Sequence, residues 1–171
     1  YNNGKPYVPQ YSARYEDIEG HKSQKQIETL LSAGILNYTP RFEPDKLITQ
    51  QDFLWYALRA TGEYEADSPE IIDKYLMYKN IISENEYNPG APVTNEQGIK
   101  YLMRILGYSD IAELKDTYKT DFVDEAMIDP ALVGYAAIAK GFGIIRGNAF
   151  TPKTQLTRAV AAEIFYNLIT N

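Results

Sequence analysis

The strongest chemical prospect in this sequence is Arg158, one position after Thr157 in the stretch FTPKTQLTRAVAAEIF, residues 150–165. A threonine ahead of an apolar helical run caps the helix. A guanidinium just behind the cap can offer a planar pair of donors to a carboxylate. The first turn adds backbone N–H groups and the positive end of the helix dipole. That chemistry is anion binding. Thr49 and Thr94 head the same pattern, but Gln50 and Asn95 follow them. These amides donate without charge, at about 1 kcal/mol where a charge-assisted bond contributes about 1.5–3. Arg158 also has a plainer reading, as a solvated arginine at a helix start.

The same inspection argues against catalysis. Asp and Glu total 23, yet no pair is singled out as general acid and base. There is no Cys, which excludes a thiolate nucleophile, a disulfide framework and a Cys-ligated zinc site. The single histidine, His21, has no metal-spaced carboxylates and reads as a surface residue. We therefore expect no enzyme, no cofactor and no metal. The charge is −6 with a pI near 4.9 and no basic run appears, which argues against nucleic acid. Repulsion of an anionic polymer by that charge is screened beyond roughly 8 Å, so any anion must be read locally, in a groove.

Hydrophobic residues make up 44% and aromatics 13%, enough for a real core. No apolar run approaches the roughly 18 residues that span a bilayer, so membrane insertion is not expected. Residues 1–14 read as an extended polar leader without a signal-peptide core. The start at Tyr1 suggests a processed chain or a piece of a longer one. The 15 tyrosines suit sugar or protein contact, and equally the edge of a core.

The elements that must position these residues come in threes. An aromatic-x-Pro-x-x-x-aliphatic-Thr pattern recurs as Phe42, Pro44, Ile48, Thr49; as Tyr87, Pro89, Val93, Thr94; and as Phe150, Pro152, Leu156, Thr157. Gly34-Ile35-Leu36, Asn80-Ile81-Ile82 and Gly143-Ile144-Ile145 precede these at matched offsets. Matched spacing in three places marks a repeat. A first helix is expected around Ile27, Leu30 and Leu31; around Ile71, Ile72, Tyr75 and Leu76; and around Leu132, Tyr135 and Ile138. Ser68-Pro69 and Asp129-Pro130 read as helix starts. Gly34, Asn80 and Gly141 read as left-handed ends. A second helix follows each threonine, with a capping box at Gln97 and Asp52 near the positive helix end. It buries Phe53, Leu54, Ala57 and Leu58; Ile99, Leu102, Ile105 and Leu106; Ala161, Ile164, Phe165 and Leu168. Trp55 lies off that stripe, either packing on a neighbouring unit or offering a sugar platform. One such hairpin cannot bury its own stripe, so the three are expected to pack together.

These motifs resemble the S-layer homology domain. The likeness rests on Tyr15-Glu16-Asp17, Gly34-Ile35, Phe42-Glu43-Pro44 and Ile48-Thr49 in unit one. Unit three carries Phe122-Val123-Asp124, Gly143-Ile144, Phe150-Thr151-Pro152 and Leu156-Thr157-Arg158-Ala159. The resemblance implies an all-α fold of three helix-loop-helix repeats with pseudo-three-fold symmetry. The units would span 15–63, 64–108 and 109–171, with an inserted helix near 109–120. It also implies a non-catalytic anchor outside the cell, on a bacterial wall or S-layer, within a longer surface protein. The ligand it implies is a secondary cell-wall polysaccharide, often bearing a pyruvate ketal, held in grooves between repeats. Loss of the glycan in favour of protein–protein packing is the alternative. Carried onto this sequence, the ligand-binding candidates are Arg158, Thr157, Gln50, Asn95, Asp17, Asp124, Gly147 and Asn148. The sequence departs from the family at Gln50 and Asn95, which replace arginine, and at Val160, which replaces glutamate. The family's Gly-Asp-Gly loop survives only as Arg146-Gly147-Asn148. At most one groove then carries a charged donor of the family type.

Overall fold

Each threonine forms the expected cap. In the computed structural model, which describes residues 14–63, 69–114 and 117–171, the Oγ1 atoms of Thr49, Thr94 and Thr157 accept N–H bonds from Asp52, Gln97 and Val160. They start α2 (Gln50–Thr61), α4 (Asn95–Ile105) and α7 (Arg158–Thr170). Gln97 returns a side-chain bond to the Thr94 N–H and completes the capping box. The partner helices are α1 (Gln24–Ser32), α3 (Pro69–Tyr78) and α6 (Val133–Gly141). Asp129 caps a short 3₁₀ turn, Pro130–Leu132, that leads into α6. The leader lies outside the described residues except for Arg14, and so does Ser68.

Three local expectations need correction. The left-handed residue after α6 is Gly143, at φ +68°, two positions beyond Gly141; its counterparts are Gly34 at +73° and Asn80 at +54°. The stretch 109–120 is helical only over α5 (Ser109–Ala112). Ile71 faces solvent, while Ile72 and Leu76 carry the buried stripe of α3.

The core is built around the second helices. α2 packs against both α4 and α7. The Phe53 and Phe165 rings meet there with centroids 5.0 Å apart. Four positions after each cap stand Phe53, Gly98 and Ala161, one large residue with two small ones. A Cβ on Gly98 would come within 2.9 Å of Leu156 and 3.0 Å of the Phe53 ring, which is why a glycine sits inside a helix here. The outer helices pack across units: α4 lies on α6, and the last helix, α7, lies on the first, α1.

The loops close a ring. Gln50 and Gln51 donate their N–H groups to Ala91 and Pro89 of the second unit, at 2.8 and 3.1 Å. Asn95 and Glu96 donate to Thr154 and Pro152 of the third, at 2.9 and 3.1 Å. Arg158 and Ala159 donate to Lys46 and Pro44 of the first, at 2.8 and 2.9 Å. Single antiparallel bridges, Thr49 with Pro92, Thr94 with Gln155 and Leu47 with Thr157, mark the same three seams. The first helical N–H groups, open at an isolated helix end, are thus satisfied by the next unit's proline loop.

Candidate functional site

The seams gather most of the candidate residues. Behind each cap, one side chain reaches across to the next unit's loop. Arg158 Nε donates to the Phe42 carbonyl at 2.7 Å, and its Nη1 meets Asp52 at 3.2 Å. Asn95 Nδ2 donates to the carbonyls of Phe150 and Thr151, both at 3.1 Å, and to Thr151 Oγ1 at 3.0 Å. Gln50 Nε2 donates to the Glu86 carbonyl at 2.8 Å and to the Tyr101 hydroxyl at 3.2 Å, while its Oε1 accepts from the Asn88 N–H at 2.7 Å. The three residues do one mechanical job, docking neighbouring units.

This placement revises the electrostatic picture. Arg158 is not a solvated side chain: only 16% of it is exposed, and its guanidinium lies 4.9 Å from the centre of the Phe42 ring. The backbone N–H groups beside it are taken by Lys46 and Pro44, so the helix end offers an anion the side chain and little else. Asp52, which the sequence suggested only as a dipole partner, is the carboxylate that Arg158 meets.

Asp17 and Asp124 have matching duties. Asp17 accepts from the Phe42 and Glu43 N–H groups at 2.7 and 2.8 Å; Asp124 accepts from Phe150 and Thr151 at 2.9 and 2.7 Å. Each clamps a loop whose second residue is left-handed, Glu43 at φ 56° and Thr151 at φ 50°. Such a conformation in a residue with a Cβ needs outside support. Burial pushes the Asp17 carboxyl up, but the loop N–H groups and Arg41 outweigh it and hold it below the usual range. For Asp124 the Phe150 N–H is the main cause of the same downward shift. The aromatic of each motif packs on the loop aromatic, Tyr15 tilted against Phe42 with centroids 5.1 Å apart and Phe122 stacked on Phe150 at 5.4 Å.

Around the first unit the seam is rich in cations and rings. Arg41 lies 3.6 Å from Asp17, and Arg59 reaches Asn37 Oδ1 at 2.6 Å while lying over Trp55 at 5.0 Å. Trp55 is half-buried against the core. His21 is largely covered, not a surface residue: its Nδ1 accepts the Ser23 N–H and its Nε2 lies 3.7 Å from Asp45. Between the second and third units a groove of about 190 Å³ is lined by Asn95, Ile144, Arg146, Phe150, Glu163 and Asn167 among others. Gly147, at φ +102°, and Asn148 form the exposed turn between Arg146 and Ala149, which both line that groove.

The sequence reading missed the residue just before each loop aromatic. Arg41, Glu86 and Ala149 occupy that place, a change of charge from unit to unit. It also missed the residue ten positions after each cap. Arg59, Arg104 and Asn167 donate to the carbonyls of Ile35, Ile81 and Ile144 at 3.5, 3.2 and 3.1 Å. Aligning the three units position by position would have flagged both.

Residues 14–54 match the family model of the S-layer homology domain. Over that stretch the chain is similar to an S-layer homology domain. The matched segment runs from the Asp17 clamp through the Phe42 loop to the first turns of α2. The chain is also 27% identical to an amylopullulanase of Thermoanaerobacterium thermosulfurigenes, over 94% of the chain and 10% of that protein. It is 28% identical to exoglucanase XynX of Acetivibrio thermocellus, over 97% of the chain and 17% of that protein. The chain thus spans a small fraction of these relatives. The S-layer homology domain is a non-catalytic, cell-surface anchoring module, and no helix among the described residues is long and apolar enough to cross a membrane.

Proposed function

We propose that this chain is three S-layer homology repeats, 15–63, 64–108 and 109–171, set around a pseudo-three-fold axis, and that it anchors a longer surface protein by binding secondary cell-wall polysaccharide at the seams. The observation that carries this reading is the dock made at all three seams: cap, cross-unit side chain and proline loop, in one arrangement. A repeated seam gives repeated weak sites, which together hold a polymer more firmly than one.

The seam between the third and first units suits an acidic sugar best. Arg158, Arg59 and Arg41 supply positive charge, and Trp55 supplies a ring. A ketal carboxylate there would replace Asp52 as the partner of Arg158, exchanging one charge-assisted bond for another. Asn95 and Gln50 would give the other seams neutral donors. Thr157, Asp17, Asp124, Gly147 and Asn148 would hold the loops that shape the grooves.

Wall sacculi that keep their polysaccharide should sediment the protein, and chemically stripped sacculi should not. Arg158→Lys, which keeps the charge but loses the planar fork, should weaken retention several-fold at unchanged helical content. Equal retention on stripped sacculi would overturn the glycan reading and favour a protein or peptidoglycan partner.

A further inference from the structure

The second unit holds an arrangement that neither of the others has. The Glu86 carboxylate stands before Tyr87, in the place of Arg41 and Ala149. One oxygen meets Lys100 Nζ, which is largely buried. The other accepts from Arg104 Nη1 at 3.3 Å, the Ser83 N–H at 3.0 Å and the Ser83 hydroxyl at 3.1 Å. An ammonium, a guanidinium, a backbone N–H and a hydroxyl converging on one carboxylate form a complete oxyanion receptor. The corresponding pairs elsewhere are Trp55 with Arg59 and Glu163 with Asn167, so only this unit sets cations at both places.

Glu86 is fixed from both sides. Its carbonyl accepts from Gln50 Nε2 of the first unit, and its N–H donates to the Ser83 carbonyl at 3.0 Å. Arg104 is further steadied by the Tyr135 hydroxyl at 3.3 Å and by Glu113 at 3.8 Å. Burial raises the Glu86 pKa, but the bonds from Lys100, Ser83 and Arg104 reverse this and carry it down to about 2. The group is therefore an anion at any working pH.

We propose that Ser83, Lys100 and Arg104 form a carboxylate-binding cradle whose resident occupant is the chain's own Glu86, closing the seam between the first and second units to an acidic ligand. An external carboxylate competes with one tethered at high effective concentration and loses. Glu86 is then a specificity-determining residue: it limits which seams read an anion. That the excluded ligand is a glycan rests on the function proposed above; the cradle does not.

Glu86→Ala in the full chain tests the cradle, because the atoms it removes are those of acetate. Thermal unfolding is followed by circular dichroism at constant ionic strength, with acetate exchanged for chloride. The variant should melt below the wild type, and acetate should raise its midpoint saturably, half-maximally at about 1–10 mM for so small a ligand. Wild type and the double variant Glu86→Ala/Lys100→Met should not respond. If Glu86→Ala is unfolded in chloride, acetate should restore the helical signal. A variant no more responsive to acetate than the wild type, or one that acetate fails to refold, overturns the cradle. Binding of pyruvate-bearing wall fragments, measured separately, should rise in Glu86→Ala. Acetate rescue without that rise keeps the cradle and removes its link to the glycan.

Discussion

In the first and third loops an aspartate of the same unit holds the N–H groups at the aromatic, whereas in the second loop one of the matching N–H groups is held by a glutamine of the neighbouring unit. Asp17 and Asp124 each accept two loop N–H groups of their own unit. In the second unit the matching Asn88 N–H goes to Gln50 of the first unit. Tyr87 donates its hydroxyl to Asp73, and that bond pushes the phenol up to about 12. The backbone requires its N–H groups to be satisfied and is indifferent to the source. An amide can donate and accept at once, so glutamine behind the cap does two jobs that arginine cannot. In this molecule the change from arginine to glutamine is a transfer of clamping across a seam as well as a loss of charge.

The largest effect should come from breaking the charged seam. Arg158→Ala leaves the Phe42 carbonyl without its donor and strands Asp52, so it should cost about 3 kcal/mol of unfolding free energy in a urea titration. Gln50→Ala loses three neutral bonds at a buried site and should cost about 2 kcal/mol. Adding Asp52→Ala to Arg158→Ala should cost little more, because the carboxylate has already lost its partner. Equal losses from the two single variants would mean that the guanidinium contributes nothing beyond what an amide does.

Acid should discriminate between the loops next. Glu86 is held down to about 2, and Asp17 and Asp124 also lie below their ordinary values. A lowered folded pKa means that the unfolded chain takes up protons first as pH falls. The stability from these groups is therefore full above pH about 5 and drains as pH drops toward 2. The Glu86 share should be on the order of 2–3 kcal/mol, and Glu86→Gln should flatten that part of the pH–stability curve. A variant with an unchanged acid limb would place the acid sensitivity in the Asp-clamped loops.

Much of this architecture is written in short-range patterns. The caps at Thr49, Thr94 and Thr157, the capping box at Gln97 and the proline loops are legible because side chain and backbone meet within a few residues. The Asp17 and Asp124 clamps are half-legible: the motif shows that they orient the chain, but not what they grip. The closure of Arg158 onto the Phe42 loop, 116 positions away, leaves no local trace. Nor does the fit of Gly98 against Phe53, which depends on two helices crossing. Arg158 read as an anion receptor because an isolated helix end would be one; tertiary packing gave those N–H groups to a neighbour. Glu86 went unread, because its charge stands out only when the three units are aligned position by position.

The smallest effect isolates the clamps themselves. Asp17→Asn keeps one acceptor oxygen and the side-chain shape but loses the charge that grips two N–H groups. It should cost about 1 kcal/mol, within the range for a single hydrogen bond. Amide exchange gives the sharper measurement. The Phe42 and Glu43 amides should exchange several-fold faster in Asp17→Asn, because the left-handed turn at Glu43 loses its support. The Phe150 and Thr151 amides, held by Asp124, should keep wild-type rates, and so should Asn88, held by Gln50. Faster exchange at Asn88 as well would mean that the ring transmits strain from one loop to the next, and that the three docks are not independent clamps.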